Sequence, residues 1–251
     1  METKFVHMSD PHLFRNYEYN GVGYYTNTLF EEALEKLKTD HSEAEILFMT
    51  GDLIDDGSVE GYEYLKAMIE EHWGKPAYFC LGNHDNRENF NKVFLNKDSD
   101  KPYYCSHVLP GGEICLIILD TGSVNSWPCT VDETQMQWIK ETVAEIDMPI
   151  MIMTHHPLFT AVEKYQFGIK LDNPPELYEI LADKNIIAVC SGHVHGAFIL
   201  NTEKFPVLSA EAIGFGLKPK EDGTNALTDQ RGYNSCIINN GIIMTKRIRL
   251  S

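Results

Sequence analysis

Six short apolar runs punctuate the first three quarters of the chain: FVHM (5–8), ILFM (46–49), YFCL (78–81), CLIIL (115–119), IMIM (150–153) and IIAVC (186–190). Each is too short for a core helix and, His7 aside, apolar throughout, which reads as a strand buried on both faces. Amphipathic helices are predicted between them. Residues 28–38 put Leu29, Phe30, Ala33, Leu34 and Leu37 on one face, and residues 59–73 do the same with Tyr62, Leu65, Ile69 and Trp73. A third helix opens from the capping box T-V-D-E at Thr130, and a fourth from N-P-P-E at Asn173. The end of the chain, CIINNGIIMTKRIRL, reads as a hairpin turning at Asn240–Gly241. Alternating strands and helices of this kind predict a layered α/β protein with parallel connections in its first half. The 251 residues carry no repeat and no linker, so one domain spanning 1–251 is expected.

The residues at the carboxyl ends of the runs are more restrictive. FVHM leads into S-D-P-H, with Asp10 and His12; ILFM into T-G-D, with Asp52; YFCL into G-N-H-D, with Asn83, His84 and Asp85. IMIM leads into T-H-H-P, with His155 and His156, and IIAVC into S-G-H-V-H, with His193 and His195. Ligands of open α/β sheets bind at this carboxyl edge of the strands. Six of the chain's ten histidines lie in these five motifs, a concentration that core packing does not require. Carboxylate, amide and imidazole without thiolate suit Mn, Fe, Zn or Co better than Ca or Mg. The donors outnumber what one tetrahedral ion takes, whereas two ions bridged by one carboxylate use them all.

The formal net charge of −16 opposes non-specific binding to duplex nucleic acid or an anionic membrane. A phosphate-ester substrate would therefore need a local source of positive charge. None of the six cysteines forms a C-x-x-C pair, and Cys80, Cys115 and Cys190 sit in apolar runs, which fits reduced thiols in a cytoplasmic protein. The opening METKFVHMSDPH does not read as a secretory signal, and no apolar stretch is long enough for a membrane span. Oligomeric state is not legible.

The motifs D-x-H, G-D, G-N-H-D, H-H-P and G-H-x-H, in this order over residues 10–195, resemble those of the calcineurin-like metallophosphoesterases. SDPHLF, GDLIDDGSVEGY and GNHDNR look most like the class III cyclic-nucleotide phosphodiesterase group. The resemblance implies an α/β fold, a four-layer αββα sandwich of two mixed β-sheets flanked by helices, with the metal site at the strands' C-terminal ends. It implies two divalent or mixed-valence transition ions. Asp10, His12, Asp52 and His195 would hold one; Asp52, Asn83, His155 and His193 would hold the other, with Asp52 bridging. Less two carboxylates, such a pair carries about +2, the local attraction a phosphate needs in an acidic chain. It further implies His84 as the group that protonates the leaving oxygen, and Asp55 as the acid that orients His84. The implied reaction is hydrolysis of a small phosphodiester, a cyclic nucleotide or glycerophosphodiester, by attack of a metal-bridging hydroxide.

Arg87 offers a fork donor for a phosphate oxygen, with a surface salt bridge as the equal alternative. Arg231, in the polar stretch 221–234, is a second such candidate, and the stretch itself reads as a lid or a contact surface. The aromatic, glycine-rich segment NYEYNGVGYYTN (16–27) can wall a substrate pocket and stack a base, or can simply pack on itself. Departures from related families narrow the activity. Asp56 and Asp85 stand where protein Ser/Thr phosphatases have Arg and Glu, and Asp55 stands where purple acid phosphatases have a Tyr ligand. A phosphomonoesterase or nucleotide pyrophosphatase on the same site remains an alternative, as does a non-catalytic scaffold of the same fold.

Overall fold

The computed structural model describes residues 2–15, 23–122, 129–160, 170–220 and 224–250. In chain order the elements are β1 (Glu2–Met8), α1 (Thr26–Asp40), β2 (Ile46–Thr50), α2 (Val59–Met68), β3 (Ala77–Cys80), α3 (Arg87–Leu95), β4 (Cys105–Val108) and β5 (Cys115–Ile118). Then come α4 (Glu133–Glu145), β6 (Ile150–Met153), α5 (Pro174–Leu181), β7 (Ile186–Ser191), β8 (Phe198–Asn201) and β9 (Pro206–Ser209). The chain closes with β10 (Gly216–Pro219), β11 (Asn225–Thr228), β12 (Arg231–Asn239) and β13 (Ile242–Leu250). All six strands expected from the apolar runs form, within a residue or a few at their ends.

Two sheets result, ordered β13-β12-β1-β2-β3 and β4-β5-β6-β7-β9-β8, with β10–β11 as a separate ribbon. Both are mixed. β1, β2 and β3 run parallel while β12 lies antiparallel to β1; β5, β6, β7 and β9 run parallel between antiparallel edges β4 and β8. Side chains alternate along the strands between two apolar layers. Phe5 and Phe48 of one sheet meet Leu116, Met151 and Met153 of the other between the sheets. Val6 and Met8 turn outward to Phe30, Leu34 and Tyr62, and Ile150 and Ile152 turn outward to Ile139 and Leu177. The architecture is the four-layer αββα sandwich, and the parallel strands of both sheets deliver their carboxyl ends to one edge.

The helices differ in detail from expectation. The segment 59–73 is α2 followed by a π-helical turn, Ile69–Trp73, which Gly74 ends in the left-handed region at φ 62°. Asp132, not Thr130, caps α4, its carboxylate accepting from the Gln135 amide at 2.8 Å. The reason is tertiary: Cys129 and Val131 donate their amides to the side chains of Asp172 and Asn173, which holds the chain extended until Asp132. Asn173 also donates to the Val131 carbonyl, so it clips two segments together and leaves α5 to start on Pro174 without a side-chain cap. Helix α3 and strands β4 and β8–β11 carry no clear periodic signal in the sequence. The Asn240–Gly241 hairpin forms, both residues at positive φ as a tight turn requires. All six cysteines are free thiols, and among the described residues no helix is long and apolar enough to cross a membrane.

Candidate metal centre

Five loops, leaving β1, β2, β3, β6 and β7, meet at the shared edge. Asp10, His12, Asp52 and His195 form one group, each offering a donor atom within 4.8 Å of the others. His12 Nε2 lies 3.1 Å from His195 Nε2 and 3.6 Å from Asp52 Oδ2, and His195 Nε2 lies 3.4 Å from Asp10 Oδ1. A second group centres on His155 Nε2, which is 3.1 Å from Asn83 Oδ1, 3.1 Å from His193 Nδ1 and 3.4 Å from Asp52 Oδ2. One oxygen of Asp52 therefore faces both groups, while its other oxygen accepts the His84 amide at 2.9 Å.

Hydrogen bonds on the far side of each ring fix which nitrogen faces inward. The Nδ1 of His155 bonds the Thr50 carbonyl at 2.8 Å and that of His195 the Phe215 carbonyl at 2.6 Å. A carbonyl only accepts, so these Nδ1 atoms carry the hydrogen, and in the neutral rings each Nε2 presents a lone pair. His12 is held likewise by Asp55, at 2.8 Å. Lone pairs of neutral His12 and His195 thus point at each other, and His155 Nε2, His193 Nδ1, Asn83 Oδ1 and Asp52 Oδ2 converge in the second group. Acceptors packed this closely repel unless a cation lies among them, and the imidazole and carboxylate donors suit transition ions. The residues present fit a pair of such ions.

The loops are strained to make this possible. Asp10, His12, Asp52, His193 and His195 all adopt positive φ, between 47° and 70°. Non-glycine residues seldom occupy that region, and each such residue costs on the order of 1–3 kcal/mol, persisting where surrounding structure enforces it. Glycine is required where the loops cross: a Cβ on Gly192 would collide with the Ser9 hydroxyl and the Asp10 carboxylate. Burial and mutual charge drive neighbouring groups in opposite directions. Burial raises the Asp10 carboxyl to about 6 and lowers His195 to about 4. Burial also disfavours charge on His155, yet the carboxylates of Asp52 and Asp10 outweigh it and lift the ring to about 9, so its Nε2 binds a proton that a metal ion would have to displace.

His84 stands at the rim, its side chain 41% exposed, with Nδ1 3.1 Å from Asp55 Oδ1. That same oxygen holds His12 Nδ1. Partial burial opposes the imidazolium, but Asp55 and Asp52 prevail and raise His84 to about 9. Asp85 is fully buried and braces two loops. Its carboxylate accepts from the Leu53, Ile54 and Gly82 amides and from the Tyr62 hydroxyl. His156 packs 4.4 Å from the His193 ring, and its Nδ1 pairs with Thr121 Oγ1 at 3.0 Å.

Arg87 requires a correction. Its guanidinium makes a two-pronged pair with Asp120, Nε to Oδ2 at 3.0 Å and Nη2 to Oδ1 at 2.8 Å. Asp120 is buried just beyond β5 and also accepts the Tyr103 and Gly122 amides, so the fork serves a buried carboxylate rather than a phosphate. The alternative, a surface salt bridge, is right in pairing Arg87 with a carboxylate but not in its place, since Asp120 is buried. Arg231 is likewise buried, facing the Ile213 carbonyl at 3.5 Å and Glu32 at 3.9 Å. Parts of the segments 16–27 and 221–234 lie outside the described residues. Sequence reasoning missed Phe215 and Asp120, which belong to no motif and reach the site only through the fold.

Two donor groups sharing one carboxylate, at the strand ends of an αββα sandwich, define a metal-dependent phosphoric ester hydrolase with a dimetal centre. The chain belongs to the calcineurin-like phosphoesterase family, whose model matches residues 3–197. It is 27% identical over 218 residues to the 3',5'-cyclic adenosine monophosphate phosphodiesterase CpdA of Haemophilus influenzae, covering 86% of this chain and 78% of that protein. It is 25% identical over 244 residues to a cAMP/cGMP dual specificity phosphodiesterase of Mycobacterium tuberculosis, covering 91% of this chain and 74% of that one. The fold matches a dimetal phosphatase from Danio rerio at a TM-score of 0.71 and 14% identity, over 98% of this chain and 96% of that chain.

Proposed function

We propose that this protein hydrolyses small phosphodiesters, with cyclic nucleotides such as those named for its relatives as the first candidates. Asp10, His12, Asp52 and His195 are assigned to one ion and Asp52, Asn83, His155 and His193 to the other, with Mn, Fe, Zn or Co as the ions the donors suit. The observation that carries the reading is the position of Asp52 Oδ2, 3.6 Å from His12 Nε2 and 3.4 Å from His155 Nε2, a bridge between two donor sets. When bound, the ions supply Lewis acidity toward the phosphoryl oxygens and toward water. Asn83, a neutral donor, leaves its side of the centre more electrophilic than a carboxylate would. His84 acts at the rim: Asp55 holds Nδ1, so Nε2 delivers its proton to the leaving oxygen as the phosphorus–oxygen bond breaks. Asp85 keeps the G-N-H-D loop in register with the Asp52 loop. The six free thiols support a cytoplasmic setting.

The test is turnover of bis-p-nitrophenyl phosphate beside p-nitrophenyl phosphate by chelator-stripped protein resupplied with Mn²⁺, Fe²⁺, Zn²⁺ or Co²⁺ in turn. Metal-dependent turnover favouring the diester is expected, and His84→Ala should lower it by about 10²–10⁴ while leaving metal content at two ions. Preference for the monoester would move the assignment to a phosphatase. No turnover by protein that binds two ions would make the chain a scaffold.

A further inference from the structure

Strand β5 runs parallel with β6 and β7 yet supplies no donor to either group. Its end supplies supports instead. Asp120 forks Arg87, and the next residue, Thr121, holds His156. Thr121 and His156 are both fully buried. The Thr121 hydroxyl accepts the His156 amide at 3.3 Å and lies 3.0 Å from His156 Nδ1. Among the described residues that nitrogen is the one acceptor within its reach, so the hydroxyl donates to Nδ1 and the imidazole carries its hydrogen on Nε2. Thr154 Oγ1 donates to the His156 carbonyl at 3.2 Å, so amide, ring and carbonyl of one residue are all fastened.

Packing alone does not account for an imidazole here. His156 Nε2 is buried and has no hydrogen-bond partner among the described residues, a cost that an apolar ring in the same place would not carry. The ring lies among imidazoles of the second group: 4.9 Å from that of His155, edge-on at 84°, and 4.4 Å from that of His193. His193 differs from the other three imidazoles of the two groups. His12, His155 and His195 present Nε2 and are held from behind through Nδ1. His193 presents Nδ1, which faces His155 Nε2 at 3.1 Å, so a hold through Nδ1 is not open to it. His156 packs against that ring, and the Thr121 hydroxyl stops His156 from rotating. Groups that orient metal-bound imidazoles govern metal affinity although they never touch the ion.

Resting on the two-ion assignment above, we propose that His156, locked by Thr121, is a positioning residue that holds the His193 imidazole for the second ion. The test is Mn²⁺ titration of the chelator-stripped full chain, with free ion counted by electron paramagnetic resonance, which reads each ion without turnover. Thr121→Val keeps the shape of the side chain and removes the hydroxyl. One of the two binding phases should weaken about tenfold, the low end of what orienting groups contribute, while the other stays within about twofold. Thr121→Ser, which restores the hydroxyl, should return both phases to within about twofold of wild type. Two unmoved phases in Thr121→Val overturn the proposal. So do two phases weakened alike with a lowered melting temperature, the behaviour of a contact that only holds the fold. Wild type that binds fewer than two ions overturns the two-ion assignment and this proposal with it. Protein that binds two ions but hydrolyses neither nitrophenyl ester refutes the hydrolase reading alone, and the titration still decides this proposal.

Discussion

Replacing Asp55 by Asn tests how the centre couples metal holding to proton delivery. A single oxygen, Oδ1, lies 2.8 Å from His12 Nδ1 and 3.1 Å from His84 Nδ1. Although its side chain is partly buried, these two rings hold the Asp55 carboxyl far below the usual carboxylate range, so the oxygen is anionic. The amide keeps the shape and an acceptor but removes the charge. Hydrogen bonds to a charged group contribute roughly 1.5–3 kcal/mol and neutral ones roughly 0.5–1.5, so each pair loses about 1–1.5 kcal/mol. That corresponds to about fivefold to fifteenfold per pair, reaching the lower end of the roughly 10–100-fold losses typical when groups orienting metal-bound histidines are removed. The His12 share should appear as weaker binding of one ion and the His84 share as slower turnover at saturating metal. Titration of chelator-stripped protein with Mn²⁺, counting free ion by electron paramagnetic resonance, reads the first. Turnover at saturating Mn²⁺ reads the second. If both losses occur, then at limiting metal they multiply to about a hundredfold. Wild-type affinity together with slowed turnover would show that the carboxylate serves His84 alone. Wild-type values of both would refute the shared clamp.

The geometry sets two further outcomes. Gly192→Ala places a methyl group against the Ser9 hydroxyl, the Asp10 carboxylate and, at 2.7 Å, the Thr50 carbonyl; it should cost about 1–3 kcal/mol, lower the melting temperature by several degrees and reduce the bound ions below two, as thermal unfolding with elemental analysis would read. His7 is fully buried, with Nε2 2.9 Å from Thr50 Oγ1, and burial lowers its ring to about 3. Below the unfolded value near 6.5 the unfolded chain takes up a proton that the folded chain refuses, so the neutral ring's contribution is complete above pH 6.5 and is lost as pH falls toward 3. Urea unfolding between pH 6 and 4.5 should therefore show wild type losing about 1.4 kcal/mol per pH unit more than His7→Gln, and parallel slopes would contradict the assignment.

The strand ends are legible because two requirements coincide there. A strand buried on both faces is nearly all apolar, so ILFM and IMIM stand out, and the residues just beyond such a strand emerge at the ligand edge of the sheet. Asp10, His12, Asp52, Asn83, His155, His193 and His195 can thus be grouped without coordinates, and the fold brings all seven together. The backbone strain at five of them is not legible, because positive φ in Asp and His leaves no compositional mark beyond the adjacent Gly51 and Gly192.

The readings that fail share one cause. Local sequence alone assigns caps to Thr130 and Asn173 and offers Arg87 either a phosphate or a surface salt bridge, and in each case a residue about 33 to 43 positions away decides the outcome. Asn173 has the right chemistry to cap a helix, yet pairing with both backbone groups of Val131 satisfies more of its bonding capacity than one cap contact would. Arg87 has the right shape to grip a phosphate, yet Asp120 presents the same two-oxygen fork permanently and without access to water, and a buried carboxylate left unpaired would cost several kcal/mol. Polar side chains near a site are claimed first by buried groups of opposite need. What the interior leaves unclaimed at the rim is the exposed side of His84, whose Nδ1 alone is taken up by Asp55.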